Sequence, residues 1–255
     1  MSALGKVYLI GAGPGAADLI TVRGARLLAQ ADVVLYDALV TPDMLELCAQ
    51  AEKISVGKRS GQRSTAQAHI NEQLVDCARR FRLVVRLKGG DPMLFGRADE
   101  ELRALEAAGV EVEVVPGITT AVAAAAAAKQ PLTKRGVARS VAFFTSSTAP
   151  DEPEHRSAGP AALPATDTMV QYMGGREAAA TAERLLGLGR PADLPVVVVE
   201  NCSRPDQRIL RLPLSELAHG LEMAHGPVLV MIGEALRRRA QQGRDLPPAP
   251  GAYSV

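Results

Sequence analysis

Tryptophan is absent from this chain, and aromatic residues make up only 3% of its 255 positions. Large rings therefore cannot dominate the interior. Ala, Leu and Val have to fill it, which favours helices lying close on buried parallel strands. Surplus charge is missing too: 29 basic residues stand against 28 acidic ones, a formal net charge of +1. So balanced a chain carries no field that draws it to nucleic acid or to an anionic membrane, and neither partner is expected. No apolar run approaches the roughly 20 residues needed to span a bilayer. The opening MSALGKVYLIGAG lacks the basic stretch and long apolar core of a secretory signal. It reads as a first strand, and a cytoplasmic location is expected. Cys48, Cys77 and Cys202 are odd in number and far apart, with no CxxC, so structural disulfides are not expected. His69, His155, His219 and His225 fall in no metal-ligand spacing, and no metal site is expected.

What is present is an alternation. Short β-branched runs at Lys6–Ile10, Val33–Tyr36, Lys53–Val56, Leu83–Leu87 and Glu111–Val115 predict strands. Between them, Asp18–Gln30, Pro42–Ala49, Thr65–Phe81 and Ala98–Ala108 carry apolar residues at helical spacing. Thr41 is placed to cap a helix whose first residue is Pro42, and Gly109 to end one in the left-handed conformation. Such alternation predicts a parallel sheet covered on both faces. An Ala-rich helix, Thr119–Ala128, leads into a linker, Lys129–Gly136. Beyond it Arg139–Thr145, Thr168–Tyr172, Val196–Glu200, Arg208–Arg211 and Val228–Ile232 predict a second set of strands, with helices at Glu177–Leu188, Leu214–Ala218 and Glu234–Gln241. Two α/β domains are expected, residues 1–130 and 131–255. Thr148–Thr166 has four prolines and no sustained period and reads as a mobile loop; Pro247–Val255 reads as a loosely held tail.

Gly11-Ala12-Gly13-Pro14-Gly15-Ala16 follows the first strand and precedes a helix, as the GxGxxA turn of a dinucleotide site does. Asp37, ending the second strand, stands where a ribose-binding carboxylate belongs in that reading. Pro14 opposes it, because a phosphate cradle is built from backbone N–H groups and proline has none. A phosphate-free ligand suits this turn better. A tight strand-to-helix turn without any ligand is the plainer alternative.

A second such turn, Lys88-Gly89-Gly90-Asp91-Pro92-Met93-Leu94-Phe95-Gly96-Arg97, runs off the fourth strand. Its paired glycines admit a close backbone approach, and Asp91 adds an acceptor. With Gly11–Gly15, Tyr36-Asp37-Ala38-Leu39-Val40, Val56-Gly57-Lys58-Arg59, Val115-Pro116-Gly117-Ile118-Thr119, Tyr172-Met173-Gly174 and Glu200–Arg208, the chain resembles the tetrapyrrole methylases over nearly its whole length and in order. The resemblance implies two α/β domains of the class III methyltransferase kind, a cofactor cleft between them, and a homodimer. It implies S-adenosyl-methionine as methyl donor, leaving S-adenosyl-homocysteine, with contacts at Pro14, Gly89, Gly90, Asp91, Leu94, Thr119, Thr120, Met173 and Cys202. It further implies Asp37 as proton acceptor and Lys58 as proton donor.

Chemistry read from the residue types agrees in part. A pyrrole carbon attacking a methyl group in line depends mainly on how the two reactants are positioned. A carboxylate such as Asp37 can take the ring proton or hold the pyrrole N–H as positive charge develops. Lys58 could instead pair, with Arg59 and Lys88, to the acetate and propionate groups of a substrate. Arg86 and Arg97 could add to that field or be surface charges. The activity implied is methylation of two ring carbons of uroporphyrinogen III to precorrin-2, which feeds sirohaem or cobalamin synthesis. Methylation of a later corrinoid or another macrocycle, a non-catalytic ligand-binding role and a dinucleotide-dependent oxidoreductase are the alternatives. The sequence departs from the family at Thr120, usually Ala, and Cys202, usually Gly. It departs again at Lys134, where His is usual, and at Thr145-Ser146-Ser147, where Thr-Gly-His is usual. Cys202 brings a side chain to a place where backbone is expected to pass close to a ligand, either crowding it or sitting as a small buried thiol.

Overall fold

The computed structural model describes residues 4–57, 65–146, 162–222 and 226–238. The first sheet is built from β1 (Lys6–Gly11), β2 (Val33–Tyr36), β3 (Glu52–Ser55), β4 (Leu83–Lys88) and β5 (Val112–Val115), in the order β3-β2-β4-β1-β5. Every pairing in it is parallel. Helices α1 (Val22–Leu28) and α2 (Pro42–Glu46) belong to one face; α3 (Thr65–Arg80) and α4 (Ala98–Ala107) to the other. Period two sorts the strands between them. Val7, Leu9, Val33, Leu35 and Val84 pack under α3 and α4, while Ile10, Val34, Val85, Leu87 and Val115 face the opposite core. The same parity sends Arg86 and Lys88 of β4 to the α3/α4 side.

Helix α5 (Thr120–Ala128) follows, then β6 (Val141–Thr145), β7 (Thr168–Tyr172), α6 (Ala178–Gly187), β8 (Pro195–Glu200), β9 (Arg208–Pro213), α7 (Leu214–Leu217) and β10 (Val228–Gly233). The second sheet runs β6-β7-β10-β8-β9 and is mixed: β6 and β7 are parallel, the rest antiparallel. Its two faces hold separate cores. Leu185, Leu214 and Leu217 of α6 and α7 meet Val196, Val198 and Val230 on one; Ala121, Ala124, Ala125 and Ala128 of α5 meet Val170, Val197, Val199 and Met231 on the other. A stripe of alanines lets the helix axis lie close to β-branched neighbours. Ala121 and Ala124 are wholly buried.

Three local expectations change. The helix expected over Asp18–Gln30 is a 3-10 turn, Ala17–Leu19, and then α1, because Thr21 is extended and its hydroxyl accepts the Gly24 N–H. Thr41 does not cap α2; its hydroxyl donates to the Gly15 carbonyl 2.9 Å away and so ties that helix to the first glycine turn. Of Glu234–Gln241, residues 234–236 form a single 3-10 turn, and 239–241 lie outside the described residues. Gly109 takes φ +68° after α4, as expected. Most of the Thr148–Thr166 segment and all of the Pro247–Val255 tail lie outside the described residues, as do His155 and His225. Among the described residues no helix is long and apolar enough to cross a membrane, and no group of residues could hold a metal ion. His69 and His219 are on the surface.

The alanine stripe yields a stability test. Ala124→Leu forces three heavy atoms into a filled interface and is expected to cost about 1–3 kcal/mol. Val122→Ala, on the exposed side of the same helix, is expected to change stability by less than about 0.5 kcal/mol. Urea denaturation of the two variants checks the difference.

Candidate active site

Three turns leave the C-terminal ends of β1, β4 and β5 side by side, where strand order reverses and parallel sheets open a crevice. Backbone groups of the first two turns bond to each other. The Gly13 N–H donates to Gly90 O at 3.1 Å, the Gly90 N–H to Gly13 O at 2.7 Å, and the Ala12 N–H to Lys88 O at 2.7 Å. The third turn closes on both: a Cβ on Gly11 would sit 2.5 Å from Gly117 Cα, and one on Gly117 only 2.2 Å from Gly90 O. Asp91 locks this contact. One carboxylate oxygen accepts the Met93 N–H and the other the Gly117 N–H, each at 2.8 Å. Asp91 is thus first a tie between turns, and each oxygen keeps one lone pair for a ligand.

The second sheet brings its own loops to the same place. Ser203 Oγ accepts the Ala16 N–H at 3.0 Å, and the Arg204 guanidinium donates to Leu39 O at 2.8 Å. Tyr172, at the end of β7, accepts the Ala121 N–H at 3.1 Å and lies 2.5 Å from the Thr119 hydroxyl at the start of α5. Burial raises the Tyr172 phenol above its ordinary range, so it stays protonated. Phe95 and Phe143 pack on its ring, with centroids 5.0 and 6.0 Å away. Phe95, Arg97, Met173, Asn201 and Ser203 all take φ between 50° and 59°. Left-handed backbone at bulky residues costs about 1 kcal/mol or more each, and it is concentrated where the two sheets' loops meet.

Between these loops lies a cavity of about 850 Å³, within the range of small-molecule sites. Pro14, Gly89, Gly90, Asp91, Leu94, Thr119, Thr120, Met173 and Cys202 all line it. So do Leu39, Phe95, Tyr172, Arg204, Leu221 and Pro227, which sequence reasoning did not single out. Tyr172 stood beside a chosen residue in a motif already noted, and the Gly226-Pro227 pair was a turn signal that could have been read. Despite touching the cavity wall, Cys202 is only 4% exposed and packs with Ala121 and Val199 in the α5 core. Its thiol is a small buried group, and nothing in its own backbone conformation demands glycine.

The charged residues resolve differently. Lys88 does not face the cleft: its side chain is 3% exposed and its ammonium lies 2.8 Å from Glu101 of α4. The expected anchor for a carboxylated substrate is therefore corrected. Parity placed residue 88 under α4, and burial lowers its pKa. Arg86 is no surface charge either. It is 2% exposed and joins Glu101 at 2.9 Å to Asp37 at 2.5 Å. Burial works against its charge, but Asp37 and Glu101 outweigh that and raise its pKa. Asp37 directly follows β2 on the same face, keeps 30% side-chain exposure and lies two residues from Leu39 in the cavity wall. Arg97 is half exposed and pairs with Glu100. Lys58 and Arg59 lie outside the described residues.

Two expectations follow. Gly11→Ala should lower the melting temperature by several degrees, as its methyl meets backbone on two sides; Gly109→Ala, with open space but positive φ, should cost only about 1 kcal/mol. Burial also pushes the Cys202 thiol up to about 11. Unfolded chains ionise there near 8.5, so this contribution is intact below that pH and is lost as pH rises from there towards 11. Cys202→Ala should flatten the alkaline fall in stability seen by denaturation between pH 8 and 10.

In comparison with known proteins, residues 6–218 match the family described as Tetrapyrrole (Corrin/Porphyrin) Methylases. A siroheme synthase of Tolumonas auensis is 47% identical over 231 residues, covering 90% of this chain and 49% of that protein. One from Yersinia pseudotuberculosis is 44% identical over 240 residues, covering 94% and 50%. The chain therefore spans about half the length of these curated relatives. Among solved structures, uroporphyrin III C-methyl transferase from Thermus thermophilus superimposes with a TM-score of 0.77 at 39% identity, covering 91% of this chain and 94% of that one. That enzyme is also known complexed with S-adenyl homocysteine. Cobalt precorrin-4 methyltransferase, a cobalamin biosynthetic enzyme, superimposes with a TM-score of 0.74 at 30% identity, covering 91% and 96%. With the family match reaching across most of its length, the chain belongs to the tetrapyrrole methylases.

Proposed function

We propose that the protein transfers methyl groups from S-adenosyl-methionine to two ring carbons of uroporphyrinogen III, giving precorrin-2 for sirohaem or cobalamin synthesis. One observation carries the choice of donor. The amides of the first glycine turn at Ala12, Gly13 and Ala16 are all bonded to protein acceptors, and Pro14 has none to give. That leaves the Gly15 N–H of the turn, and one amide is no cradle for a pyrophosphate, which argues against the dinucleotide reading. A nucleoside without phosphate fits. Leu39, Leu94 and Met173 offer it apolar walls, while Asp91, Thr119 and the turn carbonyls offer polar partners.

S-adenosyl-methionine supplies an electrophilic methyl group at its sulfonium. The residues proposed to hold it are Pro14, Gly89, Gly90, Asp91, Leu94, Thr119, Thr120, Met173 and Cys202. Asp37 is proposed to accept the pyrrole proton, or to hold the N–H while charge develops, since its partly exposed side chain follows β2 two residues before Leu39 of the cavity wall. Lys58, as proton donor or carboxylate anchor, and Arg59, as anchor, rest on the family resemblance. The division near residue 130 is part of the same proposal, with α5 preceding it and packing on the second sheet. So are a homodimer and a cytoplasmic setting with neither nucleic acid nor membrane as partner; three free buried thiols suit a reducing compartment.

The test is incubation with uroporphyrinogen III and isotopically labelled S-adenosyl-methionine, followed by mass and positional analysis of the product. Two labelled methyl groups on the macrocycle are expected, and Asp37→Asn should slow their transfer on the order of 100-fold. A macrocycle without label, or labelled only when a corrinoid is offered, would refute the assignment of substrate.

A further inference from the structure

We infer that Glu101, which has no access to the cleft, is a positioning residue for Asp37. The inference rests on the proposed part of Asp37 in methyl transfer and extends it to a residue that touches no ligand. Glu101 is wholly buried on α4. Its Oε1 accepts from Arg86 Nε at 2.9 Å and its Oε2 from Lys88 Nζ at 2.8 Å. Arg86 NH2 then donates to Asp37 Oδ1 at 2.5 Å, and NH1 to the Leu87 carbonyl at 3.3 Å. Each guanidinium nitrogen thus has a partner. Because that group is planar and rigid, fixing Nε on Glu101 sets the direction in which NH2 reaches Asp37. The second carboxylate oxygen of Asp37 makes no hydrogen bond among the described residues, and the side chain keeps 30% exposure.

Charge supports the same reading. Two cations and two anions balance, with Glu101 facing both cations from α4. Among the described residues, the neighbouring helix α3 contributes a neutral amide, Gln67, whose Nε2 lies 3.4 Å from Glu101 Oε1. A buried ionic set of this kind is a poor way to stabilise a core, and apolar residues of similar size would serve the fold as well. What it does supply is a fixed carboxylate at a strand end. Lys88 keeps the second oxygen of Glu101 occupied and prevents the carboxylate from rotating away from Arg86.

A double-mutant cycle on turnover separates positioning from mere support. Labelled methyl transfer to uroporphyrinogen III is measured at saturating substrates for the parent, Glu101→Gln, Asp37→Asn and their combination. S-adenosyl-homocysteine affinity is measured by calorimetry alongside. Glu101→Gln is expected to lower kcat on the order of ten- to a hundred-fold, as a displaced reacting group does. In the Asp37→Asn background it is expected to cost no more than about two-fold, because effects of coupled residues do not add. Cofactor affinity should stay within about two-fold, since the network lies outside the cavity wall. Should Glu101→Gln fail to fold, Lys88→Met/Glu101→Leu removes one charge of each sign while leaving Arg86 without its anchor. The same non-additivity is expected of it. Equal losses in both backgrounds, or no loss in the parent, would overturn the inference alone. Undiminished turnover by Asp37→Asn would overturn the part assigned to Asp37 and, with it, this extension.

Discussion

Everything at the cleft depends on how closely three backbone turns approach one another. Gly13 and Gly90 exchange hydrogen bonds, Gly11 and Gly117 touch through their α-carbons, and Asp91 joins the second turn to the third. No side chain larger than hydrogen fits at Gly11 or Gly117. This contact both shapes the cavity floor and decides what it can bind. Amides that satisfy one another are not available to phosphate, so the loop that resembles a dinucleotide fingerprint becomes the wall of a site for a ligand without phosphate.

Around that floor the molecule combines strain and buried charge, two features that a fold selected only for stability avoids. Left-handed backbone at Phe95, Met173 and Ser203 lies on both sides of the cavity, held by contacts between the two sheets such as Arg204 with Leu39 and Tyr172 with the start of α5. Beneath β4, Arg86, Lys88 and Glu101 form an ionic chain that emerges only at Asp37. Each arrangement persists because dense packing over-determines it. The α5 alanines and the valines of β7 and β8 on one side, and the leucines under α3 and α4 on the other, provide that packing.

Much of this was legible in the sequence. Strand limits came within two residues almost throughout, because short β-branched runs between glycine and proline punctuation admit few other readings. Residues chosen from five separate motifs line a single cavity, since strand ends in a parallel sheet all open on one edge. What escaped were matters of long-range pairing. Lys88 looks like a strand-end cation until α4 delivers Glu101 beneath it, and Arg86 likewise. Thr41 looks like a cap until the first glycine turn offers its hydroxyl a carbonyl instead. Tyr172 gains its place from Thr119, 53 positions earlier, which no local pattern records. In the second sheet, helical spacing overstated the stretch after Glu234, where only one turn forms before residue 238.

The central claim is that the mutually bonded glycine turns make a site for a phosphate-free nucleoside. Calorimetric titration of the protein with S-adenosyl-homocysteine, repeated in the presence of excess NAD or NADP, tests it most directly. One-to-one binding per chain, unaffected by either dinucleotide, is the predicted result. Competitive displacement by a dinucleotide would mean that pyrophosphate seats against Gly11–Gly15 after all, and the account would fail.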